Sequence, residues 1–77
     1  MKNNMPTNKI KSRKETLTPK QKEVLFYLAQ GYKNKEIAYK MGLSVSTIKL
    51  HLGGLYLRLN VNSRMAALIT AQQQGLI

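Results

Sequence analysis

Three carboxylates, Glu15, Glu23 and Glu36, and one imidazole, His51, are the chain's whole inventory for acid–base work. General acid–base catalysis needs positioned groups with tuned pKa values, and no second base stands near Glu23 or Glu36. Cysteine is absent, which removes thiolate nucleophiles, thiolate zinc sites and disulfides. One histidine without cysteine or aspartate cannot assemble a metal site either. The composition therefore predicts no enzyme, no metal and no cofactor. The chemistry lies in hydrogen-bond donors instead: thirteen Lys and Arg face three acids, for a formal net charge of +10 over 77 residues. Such a balance favours polyanions, whether DNA, RNA, an anionic membrane or an acidic protein.

Donors act only if an element presents them, and the hydrophobic spacing supplies four such elements. Thr18-Pro19-Lys20-Gln21 has the form of a helix start, with Thr18 and Gln21 able to cap each other and proline at the first helical position. Val24, Leu25, Leu28 and Ala29 form its apolar face, and Gly31 ends it. A second, short helix is expected after Asn34 as N-cap, with Ile37, Ala38 and Met41 as its stripe and Gly42 as its stop. Ser44 caps a third helix in which Ile48, Leu52, Leu55 and Leu59 recur at four, three and four residues. Its opposite side carries Val45, Ser46, Lys49, Leu50 and Gly53. Ser63 caps a fourth helix containing Ala66, Ala67, Leu68, Ile69 and Ala71. Gly75 closes it, and Leu76-Ile77 is expected to fold back as an apolar latch. No strand pattern competes, and the fold class expected is all-α, with four helices.

Residues 1–16 read differently. Lys2, Lys9, Lys11, Arg13 and Lys14 stand among Asn, Pro and few apolar side chains. Such a segment is expected to be a flexible basic tail, either a solvated terminus or an arm touching phosphate, with the folded domain over 17–77. The tail is too short for a receiver or sensor domain, so the chain either acts alone or is part of a longer regulator. Its apolar runs are too short to span a bilayer, and the basic N-terminus is not followed by a signal-peptide core. A soluble cytoplasmic protein without membrane contact is expected.

The second and third elements, joined by the tight Gly42-Leu43-Ser44 turn, have the form of a helix-turn-helix. In that motif the second helix enters the DNA major groove, which is about 12 Å wide and admits one α-helix. Residues 17–77 resemble the LuxR/NarL-type (GerE-like) DNA-binding domain of bacterial transcription regulators. The resemblance runs through Leu17-Thr18-Pro19, Glu23-Val24-Leu25, Gly31, Asn34-Lys35-Glu36-Ile37-Ala38, Gly42-Leu43-Ser44, Thr47-Ile48-Lys49-Leu50-His51, Arg58-Leu59 and Val61-Asn62-Ser63-Arg64. The chain departs from that pattern at Gln21, Lys33, Gly53, Gly54 and Ala66.

The resemblance implies a recognition helix over about 45–59, with Lys49 and Leu50 facing base edges and Thr47 touching phosphate. Lysine can donate to guanine N7 or O6, and leucine can cover a thymine methyl. It places Lys35, Val45 and Ser46 at the DNA backbone. Arg64 is either a further phosphate contact or a partner for Glu23 or Glu36. Gly53 and Gly54 stand where the family often carries polar side chains; they either permit close approach to the sugar–phosphate backbone or are simply tolerated. The fourth helix is expected to dimerise through Leu68, Ile69 and Gln72. The function expected is sequence-specific recognition of double-stranded DNA by a homodimeric transcription regulator. The alternatives are the output domain of a longer response regulator, or a module docking on RNA polymerase or another regulator.

Overall fold

Thr18 and Gln21 set the first helix. Thr18 Oγ1 accepts from the Gln21 amide at 3.0 Å, and Gln21 Oε1 accepts from the Thr18 amide at 3.0 Å. The computed structural model describes residues 17–77; the expected basic tail over 1–16 lies outside the described residues. Four helices follow one another: α1 (Pro19–Ala29), α2 (Asn34–Met41), α3 (Val45–Leu59) and α4 (Arg64–Gln73), with no strand among the described residues. Ser44 Oγ caps α3 by accepting from the Thr47 amide at 3.1 Å. Ser63 Oγ caps α4 through the Ala66 amide at 3.1 Å.

The start of α2 departs from expectation. Lys33, not Asn34, is the N-cap, and Glu36 Oε1 accepts from the Lys33 amide at 2.7 Å. A lysine side chain has no acceptor, so only the returning half of a capping box forms. The carboxylate in the first turn also suits the helix dipole. Asn34 is the first helical residue, and its Oδ1 is buried without a hydrogen-bond partner.

All four helices stop in the same way. Tyr32, Leu43, Val61 and Leu76 each donate an amide to the carbonyl five residues back, at 3.3, 2.9, 3.0 and 2.8 Å. Gly42, at φ 67°, provides the left-handed residue that ends α2 and lets α3 start after Leu43 and Ser44. Asn60 does the same for α3 at φ 59°.

α3 is the central element, and α1 and α2 both lie against it. Ile48 and Leu55 are fully buried, with Leu52 and Leu59 close behind. They meet Val24, Leu25 and Leu28 of α1, Ile37 and Ala38 of α2, and Ala67 and Ala71 of α4. The two alanines let α4 come close to α1 and α3. Two apolar expectations are corrected. Ala29 faces solvent, and of the C-terminal pair only Leu76 packs on the core, while Ile77 is exposed.

Candidate nucleic-acid interface

Burying the Ile48–Leu52–Leu55–Leu59 stripe forces the other side of α3 outward, because residues three and four apart share a helical face. Ser46, Lys49, Leu50 and Gly53 are accordingly exposed. Thr47 is half-buried, and its hydroxyl is hydrogen-bonded to Ser44 Oγ at 2.9 Å. Its first task is thus local, at the helix cap. Leu50 is 75% exposed, and Leu57, two turns further on, is 81% exposed.

The adjacent glycines separate sharply. A Cβ built on Gly53 would meet nothing within 4 Å. One built on Gly54 would lie 2.6 Å from Gln21 Nε2. Gly54 therefore serves the protein's own packing, admitting the capping amide of α1, whereas Gly53 leaves the outer face bare.

A shallow depression of ≈ 680 Å³ opens beside this face, lined by Gly31, Lys33, Asn34, Lys35, Val45, Lys49 and Arg64. Asn34, Val45 and Arg64 are the first residues of α2, α3 and α4, so three helix N-termini border one hollow. Each brings partial positive charge, and four cationic side chains add to it. The positive charge from both sources makes the hollow attractive to anions. Lys35, Val45, Lys49 and Arg64, far apart in sequence, are brought together here. Lys33 joins them; it had no signature beyond standing where a cap was expected.

Arg64 does not pair with either glutamate. Glu23 lies 3.8 Å from Lys20, and Glu36 receives the Lys33 amide. Arg64 Nη2 instead donates to the Tyr32 carbonyl, tying the start of α4 to the α1–α2 turn. A guanidinium carries five N–H donors, so one carbonyl does not exhaust it. Tyr32 is the residue the sequence least announced. Its ring meets Tyr27 edge-on at 5.8 Å and carries Lys40 Nζ at 4.9 Å, which fixes the turn leading to Lys33 and Lys35.

On α4, Ile69 and Gln72 are exposed, but Leu68 is half-buried against the core. Met65, one turn before Ile69, is exposed as well. The outward surface of α4 is therefore Met65, Ile69 and Gln72, with Leu68 at its inner margin. Among the described residues no group of three His, Asp or Glu is placed to hold a metal, and no helix is long and apolar enough to cross a membrane.

The family described as bacterial regulatory proteins, luxR family, matches residues 15–71. The chain belongs to the luxR family. Its helix-turn-helix is thus a DNA-binding domain of transcription regulators, and the family's members are not enzymes. Among curated luxR-type relatives, the nitrate/nitrite response regulator protein NarP of Escherichia coli K12 is 47% identical over 58 residues, covering 75% of this chain and 27% of its own length. The response regulator protein VraR of Staphylococcus aureus is 37% identical over 73 residues, covering 91% of this chain and 35% of its own. A solved structure, the response regulator ChrA of a heme-sensing two-component system, superposes with a TM-score of 0.77 at 40% identity, covering 80% of this chain and 31% of that one. This luxR-family chain spans about a quarter to a third of the relatives it matches.

Proposed function

We propose that α3 lies N-terminus first in the major groove of a specific duplex, and that the protein binds there as a homodimer to regulate transcription in the cytoplasm. The observation that carries this reading is the junction of two surfaces. The donor-bearing outer face of α3 runs into a hollow bordered by three helix N-termini and four cations. The hollow suits the phosphate backbone, and the face suits base edges. Lys49, at their meeting point, donates to guanine N7 or O6, and Leu50 contacts the neighbouring base edge. Lys33, Lys35, Val45, Ser46 and Arg64 position the backbone, with Thr47 acting mainly through the α3 cap. Bare Gly53 allows the duplex to approach α3 closely.

A two-fold dimer through Ile69, Gln72 and the margin of Leu68 presents two such helices to half-sites about one helical turn apart. NarP, VraR and ChrA are named as response regulators. This supports reading residues 17–77 as an output domain of that kind. Tyr39, 87% exposed on α2, favours an additional protein contact, and RNA polymerase is the partner that a promoter-bound regulator meets.

Selection of bound sites from random duplexes tests the proposal, followed by gel shift with Lys49→Ala. A pseudo-palindromic site is expected, with binding weakened by about 1–3 kcal/mol and specificity relaxed at one base pair. Unchanged binding by Lys49→Ala contradicts the assignment. Capture of RNA polymerase with only sequence-blind DNA binding favours the docking module instead.

A further inference from the structure

Arg64 stands between two surfaces. It is the first residue of α4, and its neighbour Met65 opens the outward stripe that continues through Ile69 and Gln72. Its guanidinium turns the other way. It lines the cationic hollow with Lys33, Lys35 and Lys49, and its Nη2 donates to the Tyr32 carbonyl in the α1–α2 turn. That acceptor is firmly held. The Tyr32 amide donates to the Tyr27 carbonyl at 3.3 Å, and the Tyr32 ring touches both Tyr27 and Lys40. The packing of α4 is less restraining at this end. Its fully buried residues are Ala67 and Ala71, on the side toward α1 and α3. Alanine lets a helix come close but makes few of the contacts by which a leucine resists tilting. Leu68 is only half-buried, and Leu76 packs on the core beyond the far end. The bond from Arg64 to Tyr32 is therefore a strut that sets the angle between the start of α4 and the hollow.

Resting on the proposed function, in which α4 carries the two-fold contact, we infer that Arg64 determines which half-site spacing the protein accepts. In a two-fold dimer any tilt of α4 becomes a displacement of each hollow along the duplex. Half-sites about 34 Å apart lie about 17 Å from the two-fold axis. A tilt of about 10° moves such a point by roughly 3 Å, close to one base-pair step. A strut that holds α4 within a few degrees thus separates spacers that differ by single base pairs. The guanidinium suits this task because its fork is planar and rigid, so one N–H holds the carbonyl while others stay open to the hollow. A lysine in its place keeps the charge but is a flexible point donor, so the attraction to phosphate survives and the fixed angle does not. Arg64 is a positioning residue, and it selects a geometry without reading a base.

A spacer series on a site recovered by selection tests this. Duplexes with the selected spacing, with one base pair more, with one fewer and with a single half-site are titrated with wild type, Arg64→Lys and Lys35→Ala. The temperature is one at which melting shows each protein folded. Wild type is expected to bind the selected spacing at least about tenfold more tightly than either neighbour, because a misplaced second half-site loses the gain of simultaneous engagement. Arg64→Lys keeps its single half-site affinity within about twofold and keeps the salt slope, since the charge is unchanged. Its preference for the selected spacing shrinks to about threefold or less. Lys35→Ala weakens every duplex by a common factor and leaves the preference intact. The Arg64 Nη protons of the wild type supply a readout that needs no variant: slow exchange with water, free and duplex-bound, is expected of a maintained strut, and fast exchange in either state overturns the inference. Full spacing preference in Arg64→Lys overturns it too, as does a uniform loss like that of Lys35→Ala, and both leave the homodimer reading intact. Wild type that binds two half-sites independently overturns both.

Discussion

Gly53 and Gly54 are neighbours on one helix and do opposite work. Gly54 faces inward, where a side chain would strike Gln21 and disturb the cap of α1. Gly53 faces outward, with open space where its side chain would be. The same division runs the length of α3. Its inner face is filled by Ile48, Leu52, Leu55 and Leu59, and its outer face shows Ser46, Lys49, Leu50 and Leu57. One face is constrained by the protein's own packing, the other, on the proposed function, by the duplex it meets. Substitutions on the inner face should therefore move stability, and those on the outer face should move affinity.

The largest separation is expected from Leu55→Ala. The side chain is fully buried, so the variant loses about 2–5 kcal/mol of stability, enough to unfold a marginal domain on thermal melting followed by circular dichroism. Retention of the wild-type melting temperature would show that α3 is not the packing centre. Lys49→Ala reverses the pattern. Affinity for a selected duplex falls by about 1–3 kcal/mol, and the melting curve stays within about 0.5 kcal/mol of wild type.

The glycine pair sharpens the contrast on a finer scale. Gly53→Ala gains helix propensity without obstruction and should raise stability by about 0.5–1 kcal/mol. Gly54→Ala gains the same propensity but displaces Gln21, whose cap is worth about 1 kcal/mol. Denaturant titration should place it below Gly53→Ala by roughly that amount. Equal stabilities would mean that Gln21 moves aside at no cost. Glu23→Gln has the smallest effect expected. Its i,i+3 pair with Lys20 is exposed and worth about 0.2–0.5 kcal/mol, and it lies on neither face of α3.

What was legible in the sequence is what local physics decides. Thr18 with Gln21, Ser44 and Ser63 announced three helix starts, and Gly31, Gly42 and Gly75 announced three of the stops, because caps act over three to five residues. The 3.6-residue period separated Lys49 and Leu50 from Ile48 and Leu52 without coordinates. The start of α2 was misplaced at Asn34 because Lys33 offers no side-chain acceptor, and the cap comes instead from Glu36 reaching back. Arg64 could not be placed because its partner is the Tyr32 carbonyl, thirty-two residues earlier, and a backbone acceptor leaves no mark in a sequence. Lys33 shares the hollow with Lys49 only because the fold brings the α1–α2 turn there. Gly53 and Gly54 were indistinguishable until the position of Gln21 was known.

Amide chemical shifts recorded while a selected duplex is titrated in test the central assignment most directly. The changes are expected to concentrate on Ser46, Lys49, Leu50 and Gly53 and on the hollow around Lys33, Lys35 and Arg64. Leu25, Phe26 and Ile77, in the apolar cleft between α1 and the C-terminus, should remain still. Changes centred on that cleft, with the outer face of α3 unmoved, would contradict the account.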